Sequence, residues 1–119
     1  MTTDDRASGP TPAPTADVTE LADLRVVVDR IEGRSVCGLS VGDHLTVTRS
    51  SQLRLPEGGH FCMYALAALL PLLPAKQRAL ADGDWLARDC EVACPDPQER
   101  LVMRIEAGPV HRLATDELT

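Results

Sequence analysis

The run Phe61-Cys62-Met63-Tyr64-Ala65-Leu66-Ala67-Ala68-Leu69-Leu70 constrains this chain more than any other stretch. Its Ala, Leu and Met are strong helix formers, and Gly58-Gly59 before it and Pro71 after it close the segment at both ends. It is apolar nearly all round, which predicts a helix enclosed at the centre of the molecule. It is too short to span a bilayer. A shorter polar helix can follow Pro74, from Ala75 to Ala81, ended by Asp82-Gly83.

The segments on either side carry a different period. Leu24 to Ile31 is rich in β-branched residues, with Leu24, Val26 and Val28 on one face. His44 to Thr48 alternates, Leu45 and Val47 inward and His44, Thr46 and Thr48 outward. Cys90 to Cys94 and Leu101 to Glu106 read as two more strands, joined by Pro95-Asp96-Pro97-Gln98-Glu99. Strands, then a helix, then a hairpin predict an α+β fold: a small, mainly antiparallel sheet packed on a central buried helix.

A chain of 119 residues is one domain by length. Residues 1–22, with three prolines among Thr, Ala and Asp, show no helix or strand period and read as a disordered leader without a secretory pattern. The domain is expected over residues 23–108, and residues 109–119 read as a polar tail. So small a core is often helped by association, which predicts a homo-oligomer. The net charge of -6, with twelve scattered basic residues, argues against nucleic acid as a partner. One Phe, one Tyr and one Trp leave no platform for stacking bases. The chain is expected to be cytoplasmic, where four cysteines are thiols, ligands or catalysts more often than disulfides.

These residues resemble a family of small, largely uncharacterised bacterial and archaeal proteins. The shared order is Cys37 before Val41-Gly42-Asp43, then Pro56-Glu57-Gly58, Cys62 opening a helix, Trp85 in a linker, and Cys94-Pro95-Asp96-Pro97 before a last strand. The match spans roughly residues 24 to 107 and is moderately specific. Here Met63 follows Cys62 where the family often has Pro, and His44 lies after Val-Gly-Asp rather than before it, so no role passes to that histidine. The resemblance implies a fold and cysteine positions and carries no reaction with it.

The cysteines then sort by position. Cys90 and Cys94 point to one face of a strand but stand about 13 Å apart, too far for a disulfide. Pro95 locks Cys94 into an extended strand end. Cys62 lies in the first turn of the predicted helix, where N–H groups favour a thiolate; the alternative is a small buried packing residue. Cys37, Cys62 and Cys94 occupy three separate turns or element ends. Three thiolates with a fourth ligand suit zinc, copper or an iron–sulfur cluster. Candidate fourth ligands are His60, Cys90, Asp96 or water. No Cys-x-x-Cys knuckle is present, so three unrelated buried thiols remain an open reading.

Asp43 and Asp96 read as turn residues, His111 as a solvated tail residue, and Trp85 as a plug for one end of the core. Three functions stay open. The first is a site of Cys37, Cys62, Cys94 and His60 that binds a metal or small ligand. The second is a biosynthetic-pathway enzyme or accessory protein with Cys62 as its catalytic nucleophile. The third is a structural or partner-binding module with packed cysteines.

Overall fold

The computed structural model describes residues 17–119. Residues 1–16 of the expected leader lie outside the described residues. Five strands form one antiparallel sheet in the order β3-β2-β1-β5-β4. They are β1 (Val18–Ile31), β2 (His44–Thr48), β3 (Gln52–Arg54), β4 (Cys90–Ala93) and β5 (Leu101–Ala114). Two short helices, α1 (Met63–Leu69) and α2 (Leu73–Lys76), and a 3₁₀ turn at Trp85–Ala87 lie between β3 and β4.

β1 and β5 form the spine, paired from Val18↔Ala114 to Ile31↔Leu101. Both strands therefore outrun the sequence expectation: β1 begins at Val18, inside the expected leader, and β5 runs to Ala114, inside the expected tail. Those ends carry little periodic signal of their own, and each is held by the ladder of the other. Two bulges bend the spine. Asp23 faces both Gly108 and Pro109, and Asp29 is the extra residue opposite Met103 and Val102. Pro109 has no N–H to offer a ladder, and the bulge is where a strand tolerates that.

One face of the sheet carries the core. Leu24, Val26 and Val28 of β1, Leu45 and Val47 of β2, Leu101, Met103 and Ile105 of β5 and Cys90 of β4 are all buried there. The other face is wet and charged, as half-solvated antiparallel sheets commonly are. On it Arg25 pairs with Glu106, Arg30 with Glu91, and Arg104 with both Asp29 and Glu106.

The helix α1 differs from the expectation. Ala65 and Leu69 face the core, but Met63 is 77% and Tyr64 65% exposed, so only one side is covered. A uniformly apolar helix does not announce which side it buries; the sheet decides. α2 is shorter than predicted, and its Lys76 is buried. Trp85 does not plug the core: it is 55% exposed, and its neighbour Leu86 is buried in its place. Among the described residues no helix is long and apolar enough to cross a membrane.

Candidate functional site

Past Ile31 the chain keeps running alongside the β4–β5 connection. Glu32 N–H donates to Arg100 O, Gly33 N–H to Glu99 O and Arg34 N–H to Gln98 O, at 2.9–3.0 Å. The approach is close enough that a Cβ on Gly33 would stand 2.2 Å from Gln98 O, so only glycine fits. The connection itself is wound on Asp96. The Asp96 side chain accepts Gln98 N–H at 2.9 Å, and its carbonyl accepts the N–H groups of Glu99 and Arg100. Arg100 then takes φ 45 to re-enter β5. This winding turns the Glu99 side chain inward, where it is 1% exposed.

Glu99 is the centre of the site. Its Oε2 accepts the backbone N–H groups of Val36 and Cys37, each at 2.7 Å. Its Oε1 accepts the thiol of Cys94 at 3.4 Å. Ligand atoms of Cys37, Cys62 and Glu99 lie within 4.8 Å of one another. The loop after β1 thus brings Cys37, the start of α1 brings Cys62, the end of β4 brings Cys94, and the turn before β5 brings Glu99. Cys62 is the N-cap of α1, and its sulfur makes no capping bond to the helix.

Three of the expected site residues, Cys37, Cys62 and Cys94, therefore meet around one carboxylate. His60 does not join them. Its ring is exposed, and Nε2 lies 3.0 Å from the carbonyl of Cys37, packed over Gly38. It forms one wall of an open cleft of about 420 Å³, which also includes Asp43, His44 and Glu57. Cys90, a candidate fourth ligand by sequence, sits in the core opposite Ile105 and is not among the clustered ligand atoms. Asp96 and Asp43 serve their turns, Asp43 Oδ2 accepting Ser40 N–H at 2.9 Å. His111 is an exposed residue of β5 paired with Asp23 at 2.9 Å.

Glu99 was not anticipated. It stands in a stretch with two prolines and an Asp, where a carboxylate ordinarily faces water. The available signal is its spacing: Cys94 and Glu99 flank a proline-locked turn, which folds two such positions back on each other.

The electrostatics follow from burial. Burial pushes the Cys37 thiol up to about 11, with the hydrogen bond to Glu99 adding to the rise. Cys94 is likewise pushed up to about 11 by burial, assisted by Glu99. Burial also acts to raise Glu99, but the Cys37 thiol, the N–H groups of Cys37 and Val36 and the Cys94 thiol outweigh it and hold the carboxyl below its ordinary range. The result is a buried anion beside the protonated thiols of Cys37 and Cys94.

Fold and site together define a small antiparallel-sheet protein with a thiol–carboxylate cluster where four chain segments converge. No protein-family model, no curated protein and no solved structure matches this chain.

Proposed function

We propose that this protein binds one divalent transition-metal ion, best matched by zinc, through Cys37, Cys62 and Glu99, with Cys94 as the fourth donor. The observation that carries the reading is Glu99 itself. It is a carboxylate at 1% exposure, held ionised. No Lys, Arg or His among the described residues forms an ion pair with it. Buried charges are paired or coordinate metals, and the sulfur atoms around this one are metal donors. Hydrogen bonds alone satisfy the oxygens without balancing the charge.

The donor set selects among ions. Copper(I) and iron–sulfur centres favour all-sulfur surroundings, whereas zinc accepts thiolate and carboxylate together in a four-coordinate site. With all four donors from the chain and three of them buried, the site is closed, which favours a holding role over turnover at the metal. Bound there, the ion would tie the loop after β1, the start of α1 and the β4–β5 turn to one point, and part of its binding energy would become folding energy.

The test is elemental analysis and chelator-competition titration of protein purified under reducing conditions with added zinc. The expected result is one zinc per chain, with Glu99→Gln and Cys62→Ser each weakening binding by at least about tenfold, while Cys90→Ser leaves it unchanged. Protein that carries no zinc and takes up none saturably overturns the reading.

A further inference from the structure

Lys76 is the only lysine in the chain, and it is buried, with 4% exposure. Its Nζ donates to the carbonyls of Leu86 and Arg88, both at 2.7 Å. An ammonium has three hydrogens, and two are used on neutral acceptors. No carboxylate among the described residues forms an ion pair with it. The Cys90 thiol is one ionisable group near it: burial raises the pKa of that thiol, with Lys76 opposing. A buried cation with no anion is costly, as an unpaired buried carboxylate is.

Lys76 also lines a cavity of about 340 Å³ between α2 and the bulged part of the β1–β5 ribbon. Ala22, Leu80, Leu86, Ala107 and Val110 supply much of the remaining wall. A recess with mixed apolar and polar walls, the buried Gln77 among them, and one buried charged group suits a small-molecule site, and this volume lies at the small end of their range. The charged side chains of Glu20, Arg78 and Asp82 also line it, from exposed positions. Two of these three are acidic, which disfavours a second negative charge on a ligand held at Lys76.

We propose that this cavity binds a small monocarboxylic acid with a short apolar chain. The carboxylate takes the remaining hydrogen of Lys76, and the chain lies against Leu80, Leu86 and Val110. This site shares no residue with the cysteine cluster and does not depend on metal.

The test uses the full-length protein and hexanoate, hexanol and hexylamine as three ligands of one chain length. Amide chemical shifts and the fluorescence of Trp85, next to Leu86 in the chain, report binding. Hexanoate is expected to bind saturably, with shifts at Leu86, Ala87 and Ala107, and at least about tenfold more tightly than the other two. Lys76→Met should abolish the preference for hexanoate, and Lys76→Arg should keep it. Should Lys76→Met fail to fold, Ala107→Leu fills the cavity without touching the ammonium and should block hexanoate. Equal binding of hexanol and hexanoate, shifts confined to another surface, or undiminished binding in Ala107→Leu overturns the proposal. Cys62→Ser should bind hexanoate as the wild type does, which separates this site from the metal.

Discussion

Glu99 accepts the backbone N–H of Cys37 at 2.7 Å across 62 positions of chain. One oxygen of a buried carboxylate thereby terminates the loop that follows β1, and the other meets the thiol of Cys94. Removing the acceptor leaves two part-buried N–H groups without this partner. Glu99→Ala is expected to cost about 2–5 kcal/mol in metal-free protein, and Glu99→Gln, which keeps an acceptor oxygen, about 1–2 kcal/mol. Urea unfolding of both variants checks this; equal costs would show that the hydrogen bonds to Val36 and Cys37 contribute little.

Metal affinity should rise with pH. Cys37 and Cys94 stay protonated up to about 11, so each must lose its proton to become a ligand. The logarithm of the zinc affinity is expected to climb by at least about two per pH unit between roughly pH 6 and 8, two of the released protons coming from Cys37 and Cys94. A chelator-competition series over that range measures the slope. A flat profile would remove both thiols from the ligand set.

The metal-free protein should be most stable between two limbs. Glu99 titrates lower in the fold than in the unfolded chain, so its contribution is complete above about pH 4.3 and lost as the pH falls through its folded value. The Cys94 thiol titrates higher in the fold, so its contribution is complete below about pH 8.5 and lost as the pH rises through about 11. Melting temperature against pH should therefore fall at both ends. Cys94→Ala should shrink the alkaline fall and leave most of the acid one.

Two glycine substitutions should separate backbone strain from damage to the site. A methyl group at Gly33 would meet Gln98 O at 2.2 Å, so Gly33→Ala must push the Glu99 turn away, at a cost of about 2 kcal/mol or more. At Gly42 nothing lies within 4 Å but φ is +95, so Gly42→Ala costs about 1–3 kcal/mol through the backbone alone. Both should lower the melting temperature, and only Gly33→Ala should also weaken zinc binding by more than about tenfold. Unaltered affinity in Gly33→Ala would mean the turn can shift without moving Glu99.

The two sides of α1 should respond oppositely to substitution. Leu69→Ala opens a void beneath the helix and should cost about 2–5 kcal/mol, whereas Met63→Glu and Tyr64→Gln should change stability by less than about 0.5 kcal/mol. Chemical denaturation of the three variants is sufficient. A large loss at Met63 or Tyr64 would mean that side is covered in solution.

The strands with a clean alternation, Leu24 to Ile31 and His44 to Thr48, were readable because side chains of period two declare a buried face before any partner is known. The helix was readable in place but not in depth, since a segment apolar on every side leaves open which side is covered. The cysteines at element ends marked three of the four residues of the proposed site, because turns are set by local proline and glycine chemistry. The outer halves of β1 and β5 were not readable: Glu20 and Arg112 are partners only through the register that joins them.

Element type, strand order in the chain and the positions of Cys37, Cys62 and Cys94 thus rest on local patterns that a single segment carries within itself. Glu99 at the centre of the cluster, Lys76 in its recess and the open side of α1 were decided by the folded chain. Burying a charge depends on which distant groups close over it, here Val36 and Cys37 on one oxygen and two backbone carbonyls on the ammonium. Those groups arrive through strand register and returning loops, and no propensity of a glutamate or a lysine encodes their arrival.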